Sequence, residues 1–277
     1  MLESSPIRWF GGKNRLDLKN WILPILKTIP HRVYIEVFGG SGSLLIAKTP
    51  SFQEVYNDID KSLYEFFNVL STEELFEKFY RKVSVLPYSR QIFEESFENQ
   101  KSEDLIERVS SWFIVMRGLF GSIPDIKTWS RSYKSKDAWL NCLEGLPNIT
   151  KRLQPVLLEN LDWKDCIDKY DSWMDEEVLF YLDPPYIQYT RKGGKYKHEM
   201  SNGDHKELVE RILKLKSHVV LSGYENEIYK PLEQNGWELQ KKRVSISCGD
   251  CTKEGIKGER VECLWIKPFK NTKSFFI

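Results

Sequence analysis

The sequence predicts a doubly wound α/β domain interrupted by a helical insert. Three observations carry this. A β-rich run, Val33-Tyr-Ile-Glu-Val37, feeds a glycine loop that runs into a helix, Phe38-Gly-Gly-Ser-Gly-Ser-Leu-Leu45. A second strand, Glu54-Val-Tyr-Asn57, then ends at an acid, Asp58. From about 72 to 153 the period changes: Leu75, Phe76, Phe79 and Val83, then Leu105, Val109, Trp112, Phe113 and Met116, recur at helical spacing. After the insert, strand and helix signals alternate again, as expected for helices on both faces of a sheet.

A helix is predicted over 61–70. The insert closes with an irregular stretch, Gly118 to Lys136, rich in Gly, Ser, Arg and aromatics. Val156–Glu159 is a strand candidate. Val178-Leu-Phe-Tyr-Leu182 reads as a buried strand. A polar loop, Ile187 to Asn202, follows. Asp204 with Glu207 three residues on resembles a capping box, starting a helix to about 215. His218–Ser222 is a strand and Glu225–Gln234 a helix. Trp237–Ser247 and Val261–Lys267 form a final antiparallel pair. The domains are therefore 1–60 with 154–277, and the insert 61–153. Whether the insert stands apart or packs on the core is left open by the pattern.

The 277 residues suit one large domain or a domain with an insert, and 41% hydrophobic with 29% charged residues predicts a globular core. No apolar run approaches the roughly 18 residues of a membrane span, and the N-terminus lacks a signal peptide's apolar stretch. Five cysteines, an odd number, suggest free thiols and a cytoplasmic location. The net charge of +1 gives no global basic footprint, so a nucleic-acid partner needs locally segregated charge. Cys248 and Cys251 have CxxC spacing, but no second ligand pair accompanies them or Cys263, so a turn is favoured over a metal site. His31, His198, His205 and His218 form no ligand or nucleophile pattern and read as surface or capping residues.

The densest chemistry is Phe180-Tyr-Leu-Asp-Pro-Pro-Tyr186. Asp183 sits at a strand's C-terminal end, Pro184 and Pro185 fix two φ angles, and Tyr186 adds an aromatic face. Gly39, Gly40 and Gly42 let backbone come close to a ligand, and the helix behind them favours negative groups. Leu45 stands where a dinucleotide fingerprint wants its third glycine, which argues against NAD. By itself the loop is equally an ordinary tight turn. Asp58 can accept hydrogen bonds from ribose hydroxyls, cap the next helix, or do both. In an open α/β sheet ligands sit beyond the C-terminal strand ends, where all three pieces fall.

Four pieces in order, Arg8-Trp-Phe-Gly-Gly-Lys13, Glu36-Val-Phe-Gly-Gly-Ser-Gly42, Asn57-Asp-Ile-Asp60 and Asp183-Pro-Pro-Tyr186, resemble those of Dam-type (D12 class) DNA adenine-N6 methyltransferases. The resemblance covers nearly the whole chain. It implies a mixed-sheet, Rossmann-like methyltransferase core and a target-recognition domain in the insert. It implies S-adenosylmethionine as cofactor, with Trp9, Lys13, Asp58 and Asp183 touching it and Phe38 with Gly39, Gly40 and Gly42 shaping its pocket. Trp9 and Phe10 are otherwise core aromatics. Asp162, before Trp163, is implied to hold the cofactor's adenine, or else it caps a helix. Asp183, Pro184, Pro185 and Tyr186 are implied to act on the amino group of an adenine that has left the duplex.

Double-stranded DNA is the implied partner, and the resemblance allows a cognate restriction endonuclease. Base methylation of this kind needs one copy of the chain, so a monomer is expected. Arg191, Lys192, Lys195 and Lys197 form a basic run without acids and suit phosphate contacts, or a solvated loop. Near the end of the insert, Arg117, Arg131, Tyr133 and Lys134 are further DNA candidates, although Met116–Pro124 matches the family's GATC-reading segment poorly. Tyr224 falls at the next strand end and is a candidate wall of the base pocket. Three rivals remain: amino methylation of another base (N4 of cytosine in DNA, or an RNA base), an NAD-dependent oxidoreductase, and a non-catalytic DNA-binding module.

Overall fold

The structure is a computed structural model that describes residues 4–9, 11–119, 128–130, 133–171, 173, 177–190, 197–245 and 259–268. Within them lie seven strands: β1 (Val33–Glu36), β2 (Gln53–Asn57), β3 (Leu157–Glu159), β4 (Val178–Leu182), β5 (His218–Gly223), β6 (Glu238–Ser245) and β7 (Glu259–Ile266). They form one sheet in the order β3-β2-β1-β4-β5-β7-β6. The first five are parallel, whereas β7 runs antiparallel to both β5 and β6. The chain is thus an α/β protein on a mixed, doubly wound sheet.

The inner strands are apolar on both sides because helices cover both faces. Alternation sorts their side chains by face. Tyr34, Tyr56, Leu179, Tyr181, Val220 and Leu264 point to one core. Val33, Ile35, Val55, Phe180, Val219 and Leu221 point to the other. The second core is closed by α8 (Trp163–Tyr170) and α9 (Asn202–Lys214), with Tyr229 and Leu232 beside them. On the first face lie α1 (Leu16–Thr28), α2 (Ser43–Ala47) and α3 (Lys61–Ser71). The insert helices α4 (Glu73–Ser84), α5 (Arg90–Asn99), α6 (Leu105–Gly118) and α7 (Tyr133–Leu153) join that same core.

The insert therefore shares its core with the sheet. Phe66 of α3 stacks on Phe113 of α6 at 5.6 Å and meets Phe79 of α4 edge-on at 6.1 Å. Aromatic rings at these separations add to plain area burial.

Several boundaries differ from the sequence reading. α1 was not predicted, and Pro24 stands inside it. Proline in a helix interior removes one bond, and here burial of Leu18, Ile22 and Leu26 along one face offsets that cost. The capping box starts at Ser201, not Asp204: Ser201 is the N-cap, Asp204 is its N3 partner, and Glu207 pairs with Lys164 and Arg211 instead. The helix expected over 225–234 is a 3-10 turn, Glu227–Tyr229, followed by α10 (Lys230–Gln234). α7 already begins at Tyr133, inside the stretch read as irregular. His205 is not at the surface: it is fully buried, with Nδ1 2.8 Å from the Tyr229 hydroxyl.

Candidate active site

The strand order reverses at β1. The chain leaves β1 toward β2 and leaves β4 toward β5, so the two loops part and open a crevice. Register makes the crevice compact: Glu36 pairs level with Tyr181, so the glycine loop and Asp183 leave the sheet side by side. The result is a cleft lined by Trp9, Lys13, Phe38, Gly39, Gly40, Asp58 and Asp183 among others.

Its floor is tight. A Cβ on Gly39 would stand 2.2 Å from the Tyr56 ring, so nothing larger than glycine fits. Gly40 has φ +50°, and a Cβ there would meet Trp9 at 3.0 Å. The Tyr56 hydroxyl donates to Gly40 O at 2.7 Å and pins the loop from below. Gly42 does not line the cleft; it precedes α2 with φ +60° and packs near Phe67.

Asp58, just after β2, accepts from Gly40 N and Asp60 N, each at 2.8 Å. Burial pushes its carboxyl up to about 6, although those two backbone bonds oppose the shift. A carboxylate can take about four hydrogen bonds, so Asp58 keeps acceptor capacity toward the cleft. Glu36, at the end of β1, also lines the cleft; burial raises it to about 7, opposed by the donating Tyr34 hydroxyl at 2.8 Å.

At the other wall, Lys13 Nζ donates to both oxygens of Asp183 at 2.7 Å and to the Tyr186 hydroxyl at 2.8 Å. Lys13 is 4% exposed. Burial works against its charge, but Asp183 and then Glu262 outweigh it, and the ammonium is held above its ordinary value. The Tyr186 hydroxyl in turn donates to Glu262 Oε2 at 2.7 Å, and its ring meets Tyr224 edge-on at 4.5 Å. Pro184 is buried and Pro185 lines the cleft. A second pocket adjoins the first through Phe38, Ile59, Pro185 and His198, and carries Asp162 and Trp163. Asp162 is the N-cap of α8, accepting from Lys164 N at 2.9 Å, and lines that pocket at the same time.

Arg131, Arg191, Lys192 and Lys195 lie outside the described residues, as do Phe10, Cys248 and Cys251. Lys197 stands at the cleft rim and bonds Asp60 at 2.7 Å. Arg117 donates to Ala138 O, and its Nε is buried without a partner among the described residues. Arg8, held below its usual value by burial and then by Arg117, lies beside it. Tyr133 and Lys134 open α7, with Lys134 exposed.

Sequence reasoning missed Glu36, Asp60, His198 and Glu262. Glu36 and Asp60 stood inside quoted motifs. Glu262 reaches Tyr186 across 76 residues of chain, and no local pattern marks it.

The fold and cleft define a class, the doubly wound α/β enzymes whose ligands lie across the switch point. Within it, the profile of the D12 class N6 adenine-specific DNA methyltransferase family matches residues 9–246, and the chain belongs to that family. It is accordingly a DNA-methylating enzyme specific for adenine. A search of curated proteins finds no match. Among solved structures, the chain is similar to precorrin-6y C5,15-methyltransferase from Geobacter metallireducens, at 10% identity and TM-score 0.42, covering 95% of this chain and 94% of that one. It is also similar to the rRNA methyltransferase AviRa from Streptomyces viridochromogenes, at 12% identity and TM-score 0.38, covering 95% and 88%.

Proposed function

We propose that the methyl donor is S-adenosylmethionine and the acceptor is N6 of an adenine swung out of duplex DNA. The observation that carries this is the joining of Asp183 and Lys13, with the buried Tyr186 bonded to Lys13, at one wall of a cleft whose floor is glycine and which Asp58 also lines. The residues fit such a donor. The cleft floor leaves no room for a Cβ at Gly39, and Asp58 has spare acceptor capacity for ribose hydroxyls. Trp9, Phe38 and the Asp162–Trp163 pocket would enclose the rest, with Trp163 offering a ring beside the adenine. When bound, the donor supplies an electrophilic methyl on a sulfonium.

The chain's own residues then prepare the nucleophile. An adenine amino group reacts poorly because its lone pair is delocalised into the ring. Asp183 Oδ and the Pro184 carbonyl accept the two N6 hydrogens, so the nitrogen rehybridises and frees its lone pair. Lys13 uses two of the four acceptor positions of Asp183 and leaves two. Positive charge then grows on N6 beside acceptors already in place, which is preorganised electrostatic stabilisation. The prolines keep this geometry at little entropic cost. Tyr186, with Tyr224 edge-on to it, provides an aromatic wall for the extruded base. Afterwards the N6 proton passes to Asp183 or to water.

Residues 61–153 we assign to target recognition. Arg117 in the last turn of α6 and the exposed Lys134 at the start of α7 support that assignment. The test is a calorimetric titration with S-adenosylmethionine, followed by labelled methyl transfer to unmethylated duplex DNA, single-stranded DNA and RNA. Binding together with labelled duplex is expected. No binding, or label in RNA alone, contradicts the reading.

A further inference from the structure

Tyr186 is the hub of a buried network that reaches beyond the motif it belongs to. Its hydroxyl accepts from Lys13 Nζ at 2.8 Å and donates to Glu262 Oε2 at 2.7 Å. Ser222 Oγ lies 3.2 Å from the same oxygen. Glu262 comes from β7, the antiparallel strand wedged between β5 and β6, and is only 8% exposed. A buried carboxylate is costly unless paired or hydrogen-bonded. Here the compensation is indirect: Glu262 meets the Lys13 ammonium through one hydroxyl.

Lys13 thus faces two carboxylates, Asp183 directly and Glu262 through Tyr186. With Glu262 in place, Lys13 holds both oxygens of Asp183 at 2.7 Å, and each of those oxygens keeps one acceptor position. The two Asp183 oxygens and the Tyr186 hydroxyl, itself anchored on Glu262, together fix the Lys13 ammonium in place. The same bond from Tyr186 to Glu262 fixes the plane of the ring, which Tyr224 flanks at 4.5 Å.

We propose that Glu262 is a positioning residue for methyl transfer, acting through the Tyr186 hydroxyl to orient that ring and to fix the Lys13 ammonium against Asp183, so that the free acceptor positions of Asp183 are held in one direction for the adenine amino group. This rests on the functional reading above.

The test compares Glu262→Gln, Glu262→Ala and Tyr186→Phe in single-turnover methylation of unmethylated duplex DNA. Glu262→Gln keeps shape and an acceptor but removes the charge, and a loss of about tenfold in rate is expected; Glu262→Ala removes both, for about a hundredfold. KM for DNA and for S-adenosylmethionine should move less than about threefold, and the unfolding midpoint of Glu262→Gln should not fall, because the effect lies in the reacting geometry. Losses from Glu262→Gln and Tyr186→Phe should combine less than additively, since one hydroxyl links them. Full additivity, unchanged rates in both Glu262 variants, or losses confined to KM or to stability would overturn the proposal. Wild-type protein that forms no N6-methyladenine would overturn the functional reading and this proposal with it. An active wild type with undiminished Glu262 variants overturns the proposal alone.

Discussion

At the scale of single residues, Asp58 has a property that binding can read. Its carboxyl is raised to about 6 by burial, so a large share is protonated at mildly acidic pH. Ribose hydroxyls donate best to the ionised form. Binding therefore favours proton release, and affinity for S-adenosylmethionine rises as pH climbs through 6 and levels off above about 7. Affinity at pH 5 should be about tenfold weaker than at pH 8, and Asp58→Asn should flatten the profile. Calorimetric titration across pH checks this, and a flat wild-type profile would remove Asp58 from the cofactor's contacts. The side chains that line the cleft were readable where a motif announced them, as with Lys13, Asp58 and Asp183. Glu262 was not: a lone acid on an alternating strand looks like any solvent-facing residue until β7 places it beside Tyr186.

At the scale of elements, the loop after β1 shows how a local signal and a tertiary constraint combine. Glycines at 39 and 40 suggested close backbone approach, and what approaches Gly39 turns out to be the protein itself. Tyr56 cannot swing away, because its ring packs 4.4 Å from Phe67 and its hydroxyl holds Gly40 O. Gly39→Ala should therefore lower stability by about 1–3 kcal/mol through overpacking, and weaken cofactor binding as the loop shifts. Urea unfolding and a titration of the same variant measure both; an unchanged midpoint would contradict the packing argument. The strands β1, β4 and β5 were legible because burial on both faces favours apolar runs. α1, with Pro24 inside it, was not predicted, and the true capping box was hidden by an acid, Asp204, that serves as N3 where it was read as the start.

For the whole molecule, the insert and the sheet share one core, from Tyr34 and Leu179 of the sheet to Phe113 and Trp139 of the insert. The pattern of sequence marked the insert by its change of period but held no information on how it packs, since that depends on pairs far apart in the chain. A shared core predicts one cooperative unfolding transition. Phe113 is fully buried among Phe66, Phe79 and Trp139, so Phe113→Ala should cost about 3–5 kcal/mol and shift the entire transition. Scanning calorimetry decides it; a separate transition for the insert would show two independent units. In the same arrangement α6, which carries Arg117 in its last turn, packs on α3.

The measurement that tests the central claim most directly is nucleoside mass spectrometry. Wild-type protein and Asp183→Ala are each incubated with deuterated-methyl S-adenosylmethionine and unmethylated duplex DNA, and the digest is analysed. The account predicts deuterated N6-methyladenine from the wild type, a fall of at least about 100-fold in the variant, and cofactor affinity within about tenfold of wild type. Label on cytosine N4, or equal N6-methyladenine from Asp183→Ala, would contradict it.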